Sequence, residues 1–389
     1  MASSPAPWSL ASLRVLDGDV GFPVEVIVYG NDLDHPLSNT AAELVSGSLT
    51  LDESWAPYVQ GSLRVRFADG AALGNLDARY FPSVLLRPGY RHPDGTLDQP
   101  VTSWVIGVGD CAYQYGDGTW ALDLVSAEDR MQRARHWPAA AATTTYASYS
   151  AAISNFLTRG LTSPAPVINS TLTGTGTSMT SYRIAPGDSL WEHLESVRDM
   201  ANARVRCDLD GQWYITPAPS GDTIDTGTPL TIATGDAPTD PQHFTPGDGT
   251  GTVVRGVLVD PDPTRRTSRD EWANTVTIYH EWRDSAGTTQ TIAGRAPTGT
   301  LTGQRVVEHF TRTTPTTQTE ANNACAAMLT PLIRRGKQIE VATRAFWWLR
   351  PGDTIRLWVN GTWDYWIIRR LTWDLAAGTM TLTLREPIT

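Results

Sequence analysis

LRPGDTIRLWVNGTWDYWIIRRLTWDLAAGTMTLTLRE, residues 349–386, decides how the rest of this 389-residue chain is read. Its last third alternates strictly: Met380, Leu382 and Leu384 point one way and Thr379, Thr381 and Thr383 the other, as in a half-buried antiparallel strand. The same elements occur earlier in the same order. LRPG stands at 86–89 and 349–352, WVI at 104–106 answers WII at 366–368, and GTWALDL at 118–124 answers GTMTLTL at 378–384. Anchored on Pro88/Pro351, Trp104/Trp366 and Trp120/Met380, the offsets are 263, 262 and 260 residues. Spacing conserved through three anchors predicts an internal duplication. In each copy Pro fixes φ and Gly frees it, turning the chain into a strand that leads to a hairpin. Superposing 84–126 on 347–386 is then expected to bring Pro88 over Pro351 and Trp104 over Trp366, with the hairpins in one register.

Outward from the repeat, period-two alternation continues in VEVIVYG (24–30), SGSLTLD (46–52), SLRVRF (62–67), TVVRGVLV (252–259), NTVTIYHEW (274–282) and RVVEHF (305–310). Turn strings punctuate these runs: PDG at 93–95, GDG at 116–118, DLDG at 208–211 and NG at 360–361. Three helices are expected. The first covers about 147–159, with Ile153, Phe156 and Leu157 on one stripe. The second covers about 189–203, opening on Ser189 and Glu192 at capping-box spacing and burying Leu190, Leu194, Val197 and Ala201. The third covers about 318–334, behind Thr317 and Glu320, with Pro331 shortening or kinking it and Gly336 stopping it. Its stripe of Ala321, Ala324, Cys325, Met328, Leu329 and Leu332 is expected to lie on the second set of repeated strands. Segments 161–182 and 217–251, rich in Thr, Gly, Pro, Ser and Asp, read as loops or linkers. The chain is therefore mainly β, α+β overall, and divides into a first β domain at 1–130, a small α+β middle domain at 131–250 and a second β domain with one packed helix at 251–389.

Composition bounds the function. Hydrophobic residues make up 40% and charged residues 19%, which fits packed cores. A net charge of −10 lacks the basic surface that displaces counterions from nucleic acid. No run reaches the roughly 20 apolar residues of a membrane span, and the first 22 residues lack the basic-then-apolar order of a secretory signal. Cys111, Cys207 and Cys325 are odd in number and far apart, so they read as small buried hydrophobes. Lys337 is the one lysine against 30 arginines, a bias expected of a GC-rich genome.

No catalytic, cofactor or metal constellation emerges. GxSxG is absent. His280-Glu281 begins like HExxH, but Asp284 holds the fifth place in a strand-like run, whereas a zincin needs both histidines on one helical face. His193 and Glu195 stand two apart on a helix and do not share a face. Asp208, Asp210 and Gly211 open like a calcium loop, yet Pro219 stands where the closing Glu belongs, so they read as a hairpin turn. Asp52-Glu53 and Glu128-Asp129 are adjacent carboxylates with no mark of an acid/base pair, and the Gly/Thr run near 172–178 lacks a P-loop lysine. Fifteen tryptophans remain. Trp347, Trp348, Trp358, Trp363, Trp366 and Trp373 would stack sugars if exposed, or fill barrel cores and subunit interfaces if buried; strand patterning favours the second.

Three stretches resemble the baseplate-hub and minor tail proteins of tailed phages, especially long-tailed phages of GC-rich bacteria. They are VSGSLTLDESWAPYVQGSLRV (45–65), APGDSLWEHLESVRDMANARVRCDLDGQWYI (185–215) and the opening stretch at 349–386. The resemblance implies two tail-tube-like antiparallel β-barrels and a homotrimer whose six barrels match a sixfold tube. It further implies a place at the tail tip of the virion after assembly in the host cytoplasm. Expected partners are distal-tail or tube proteins and tip or receptor-binding proteins, and phage DNA passes the lumen during ejection without specific binding. A receptor- or carbohydrate-binding tip module and a distal-tail ring protein are the alternative readings.

Overall fold

The computed structural model describes residues 21–29, 40–54, 56–68, 76–92, 94–99, 103–162, 165–172, 179–218, 222, 224, 230–233, 255–257, 264–267, 272–284, 287–297, 305–334, 337–359 and 361–387. The chain is mostly β, as the alternation predicts. Its first eight strands are β1 (Val24–Tyr29), β2 (Thr40–Asp52), β3 (Val59–Phe67), β4 (Ser83–Pro88), β5 (Tyr90–Arg91), β6 (Leu97–Asp98), β7 (Trp104–Gln114) and β8 (Thr119–Val125). Six of them close antiparallel in the order β1-β4-β7-β8-β3-β2, because β1 pairs with both β4 and β2. Closure removes the free edges that an open sheet would present. Inward positions are Val26, Val28, Leu63, Val65, Val84, Leu86, Ile106, Val108, Leu122 and Leu124, all buried. Each contributes about 1.5–3 kcal/mol of burial.

The middle segment has its own core. Helix α1 (Glu128–Arg133) follows β8, then come β9 (Ala142–Tyr146), α2 (Tyr149–Gly160), β10 (Ile168–Ser170), β11 (Met179–Ile184), α3 (Leu190–Met200), β12 (Ala203–Cys207) and β13 (Trp213–Pro217). Ile153, Phe156 and Leu157 of α2 meet Leu194 and Val197 of α3 over Trp213 and Ile215. Ser189 Oγ accepts from Glu192 N at 3.3 Å, so α3 starts on its expected cap, and Ser148 Oγ, accepting from Ala151 N at 3.2 Å, caps α2 in the same way. Strand β10 and the start of β11 fall in the segment read as loop, 161–182, and β14 (Leu230–Ala233) in the one at 217–251; β10 and β14 have three and four residues and β11 a register shift after Met179, so none shows a sustained alternation.

The C-terminal part contains β14 (Leu230–Ala233), β15 (Arg255–Val257), β16 (Thr264–Thr267), β17 (Thr275–Arg283), β18 (Thr289–Ala296), β19 (Val307–Arg312), α4 (Gln318–Arg334), β20 (Lys337–Arg344), β21 (Thr354–Val359), β22 (Thr362–Asp374) and β23 (Thr379–Arg385). Strands β14, β21, β22, β23, β20 and β16 follow one another side by side, and β22 also pairs with β2. This second set is open among the described residues. Its strand β14 arrives from the middle segment and runs parallel to both β15 and β21, where the first barrel has the antiparallel β1.

The duplication is visible in register, on the Trp120/Met380 anchor and not on the other two. Every pair of the β7–β8 hairpin recurs in β22–β23 at a constant offset of 260: Gly107↔Val125 with Ile367↔Arg385, Tyr113↔Trp120 with Trp373↔Met380, Gln114↔Thr119 with Asp374↔Thr379. The one-residue bulge recurs too, at 109 and 369. Gly118 and Gly378 close both turns at φ +67 and +66, each donating to the carbonyl four residues back at 3.0 Å. Strand β4 matches β21 through Ser83↔Gly107 and Thr354↔Ile367, and β3 matches β20 through Leu63↔Leu122 and Val341↔Leu382. On this register Trp366 corresponds to Ile106, two residues from Trp104. Pro88 ends β4 opposite Val24, whereas Pro351 sits in the turn before β21, so LRPG is shared turn chemistry and not a matched position.

The chain leaves the second set at Thr267 and returns at Lys337, which are paired neighbours. Between them, β18-β17-β19 form a separate sheet, and α4 packs on β17 and β18 through Ala324, Cys325 and Leu329. The helix therefore covers this inserted sheet and not the repeated strands. Its boundaries are as expected, with Thr317 N donating to Glu320 Oε2 at 2.9 Å and Glu320 N to Thr317 Oγ1 at 3.3 Å. It runs through Pro331, which lies in the last turn, where few bonds remain to be broken; Gly336 lies outside the described residues. The reason for its choice of sheet is Gly294: a Cβ there would fall within 3 Å of Ala321. Gly294→Val is expected to lift the helix and lower stability by about 1–3 kcal/mol, read as an earlier urea midpoint; an unchanged midpoint would refute the close approach.

Candidate functional site

The feature with most built into it is the seam where β2 meets β22. Ser48↔Asp374 through Asp52↔Arg370 form an antiparallel ladder, extended by Leu375 N to Gly47 O at 2.9 Å and Glu53 N to Arg369 O at 3.0 Å. Leu49, Leu51, Leu371 and Trp373 are buried beneath it, so the closed barrel and the second set share one continuous core. Thr50 and Thr372 share a hydroxyl bond of 2.9 Å on the other face. Trp104 stacks on Trp373 with centroids 4.8 Å apart, Trp347 meets Trp104 edge-on at 6.0 Å, and the Arg350 guanidinium lies 5.8 Å from the Trp104 ring.

A charged clasp holds the end of the seam. Arg385, 1% exposed, reaches Glu53 through Nε at 2.7 Å and Nη2 at 3.1 Å, and Asp222 through Nη1 at 2.5 Å and Nη2 at 2.9 Å. These forked bonds, with the two carboxylates beside it, hold its pKa above the ordinary arginine value against the desolvation of burial. A second buried carboxylate, Glu128, ties the barrel to the middle segment. It accepts from Tyr58 N, from Ser126 Oγ at 2.8 Å and from Cys207 N at 3.0 Å. Burial pushes its carboxyl up to about 7, against the lowering effect of those three donors. The middle segment meets the inserted sheet through Asp199, which accepts from Arg198 at 2.8 Å and Arg312 at 2.5 Å. Beside this joint lies a cavity of about 570 Å³, lined by Arg135, Tyr182, Asp188, His193, Glu281 and Trp282 among others. His193 Nδ1 accepts from the Tyr182 hydroxyl at 2.6 Å and Nε2 donates to Asp188 at 3.2 Å. Burial lowers its pKa, and the phenol of Tyr182 is driven well above its usual range. Both ring nitrogens are engaged and the hydroxyl is held as a donor, so this is a satisfied core histidine and not an activated base.

The residues weighed for chemistry are dispersed. His280 is buried in β17 with Nδ1 donating to Thr314 O at 3.3 Å. Asp208, Asp210 and Gly211 make the β12–β13 turn: Gly211 N donates to Asp208 O at 2.9 Å, and Asp210 accepts from Gln212 N at 2.9 Å. Glu195 pairs with Arg198 at 3.5 Å, and Asp129 with Arg133 at 3.0 Å. Run 173–178 lies outside the described residues. No group of three or more His, Cys, Asp or Glu able to hold a metal occurs among the described residues. Glu53 and Glu128 were legible as carboxylates but not as buried ties, since their partners stand 332 and 79 residues away. Of the clustered tryptophans, Trp347, Trp348, Trp366 and Trp373 are buried and present no face to a sugar. Trp358 and Trp363 are half-buried and pack on each other at 5.3 Å. Cys207 and Cys325 are buried as expected, while Cys111 is only half-buried.

No protein-family model matches the chain, and no curated protein matches it in sequence. Solved structures share its fold. A tail protein from Neisseria meningitidis MC58 is 13% identical with a TM-score of 0.53, covering 93% of this chain and 96% of its own. The 43 kDa tail protein of prophage MuSo2 from Shewanella oneidensis is 11% identical with a TM-score of 0.55, covering 93% and 98%. A chain of the Francisella PdpA–VgrG complex is 8% identical with a TM-score of 0.51 over 94% of this chain and 53% of its own. The fold of this chain is that of phage tail proteins.

Proposed function

We propose that this chain is a structural subunit of a phage-type tail tip, a baseplate hub that caps or extends the tail tube and joins it to tip or receptor-binding proteins. The observation that carries this reading is the duplicated, register-matched set of barrel strands within one chain, joined edge to edge by β2 and β22. Two tube-like units per chain let three chains offer six similar surfaces to a sixfold tube, which a closed homotrimer does with one interface type. Divisions near residues 130 and 250 give a first barrel, a middle α+β unit and a second barrel-like unit, with β14 reaching forward from the middle segment to join the last. The role is architectural and uses no catalytic step. The ring belongs to the virion, assembles in the host cytoplasm and leaves a lumen for DNA; an acidic or neutral lumen wall lets phosphates slide past.

The test is the mass of the purified protein by light scattering, followed by cryo-EM of the assembly. Three copies of the 42.4 kDa chain in a ring of six barrels are expected. A monomer at every concentration, or a ring with one chain per sixfold position, would refute the hub reading.

A further inference from the structure

Copy two contains a strand joint that copy one lacks. In β22 the segment Arg370–Asp374, beyond the bulge, is paired on one edge by β23 and on the other by β2. Its equivalent in copy one, at offset 260, is Asp110–Gln114 of β7. That segment is paired by β8, while β4 pairs with β7 only from Gly107 back to Trp104. Among the described residues no strand lies along its second edge; residues 76–82 lie beside its start, with Val108 N donating to Pro82 O at 2.8 Å and Cys111 Sγ to Leu76 O at 3.5 Å. The side chains record the difference. Leu371, Trp373 and Leu375 are buried in copy two, and Leu375 is 1% exposed. Their equivalents are half-buried Cys111 and Tyr113, and Tyr115 at 91% exposure.

The missing strand is also present, at the end of the second set of strands. Strand β16 pairs with β20 as β2 pairs with β3: Ser48↔Ser62 corresponds to Thr264↔Glu340 and Leu49↔Gly61 to Arg265↔Ile339. Strand β2 uses its other edge for β22; among the described residues β16 uses its other edge for nothing, and Thr264–Thr267 are all exposed.

We infer that β16 of one copy adds to the open edge of β7 of a second copy, repeating between chains the joint that β2 and β22 make within one. The internal ladder fixes the register. Ser48↔Asp374, Leu49↔Trp373, Thr50↔Thr372 and Leu51↔Leu371 become Thr264↔Gln114, Arg265↔Tyr113, Arg266↔Ala112 and Thr267↔Cys111 across the interface. Arg265 then lies opposite Tyr113, where a guanidinium can rest on the ring. The Cys111 thiol exchanges its 3.5 Å bond to Leu76 O for this contact. Arg265 and Arg266 in place of apolar residues also keep the free edge from pairing indiscriminately before assembly. The joint is head-to-tail, so it propagates and closes a ring when its rotations sum to a full turn. This inference rests on the proposed ring and specifies the strands that make it.

Mild oxidation of purified full-length Thr267→Cys tests it, because native Cys111 of the neighbour is the directly opposite residue. Reducible, SDS-stable dimers and trimers are expected, and none from the same variant carrying Cys111→Ser. Arg266→Cys with Ala112→Cys, in a Cys111→Ser background, gives a second pair at the adjacent position. Neighbouring pairs in an antiparallel ladder alternate between Cα separations of about 5.5 and 4.5 Å, so one of the two has the closer spacing. Arg265→Cys with Ala112→Cys places the thiols on opposite faces and is expected to stay uncrosslinked. An oligomer by light scattering with neither pair crosslinked overturns the joint and leaves the ring standing. A protein monomeric at every concentration overturns both. A crosslinked ladder continuing past three confirms the joint and overturns the closed trimer.

Discussion

Arg385→Ala lowers the stability of the chain by about 3–5 kcal/mol, the cost of stranding buried carboxylates once their cation is removed. The effect is expected to be large because Arg385 serves Glu53 and Asp222 at once and neither is open to water. The clasp joins the β2–β3 turn to the end of β23, so its loss should also loosen the seam. Replacing Arg385, Glu53 and Asp222 together by apolar residues of similar volume is expected to recover most of the loss, because the desolvation penalty leaves with the charges. Urea midpoints for the single and triple variants check this. A triple variant as unstable as Arg385→Ala would mean that the clasp acts through shape and not charge.

Glu128→Ala is expected to cost a similar amount, about 3–5 kcal/mol, since it leaves Tyr58 N and Cys207 N buried without an acceptor. Here pH adds a signature. In the folded chain the carboxyl holds its proton up to about pH 7, while a free glutamate releases it near 4.5. The folded state therefore binds more protons between those values, so stability falls as pH rises through that window. The contribution is complete below about pH 4.5, and the fall across the window is about 3 kcal/mol. Glu128→Gln, which never ionises, should flatten this slope while lowering stability overall. A slope unchanged in Glu128→Gln would assign the pH dependence to other groups.

What sequence could see here was whatever repeats locally. Alternation located β1, β3, β17 and the final hairpin, and capping chemistry at Ser189 and Thr317 located two helix starts. The duplication was also legible, yet two of its three anchors were misplaced. Turn strings such as LRPG recur wherever a strand begins or ends, whereas the true equivalence lies in the bulge at 109 and 369 and in the turn glycines. Nothing local in 318–334 says which sheet the helix will cover; that depends on the space above Gly294. The seam and its clasp were invisible for a related reason. Arg385 stands 332 residues from Glu53 and 163 from Asp222, and an adjacent Asp52-Glu53 pair looks the same whether or not Arg385 is waiting.

The return of the chain at Lys337, beside its departure at Thr267, has an architectural consequence. A strand connection whose two ends face each other is a port: any module that folds with its termini close together can hang from it without disturbing the strands. The inserted sheet with α4 is such a passenger. The first copy has the same port between Leu51 and Val59, but there Glu53 has been drawn into the clasp and Tyr58 onto Glu128, so the opening is locked. Duplication thus allowed a division of labour between two once-identical bends. One fastens the halves of the chain together, and the other carries the inserted sheet with α4.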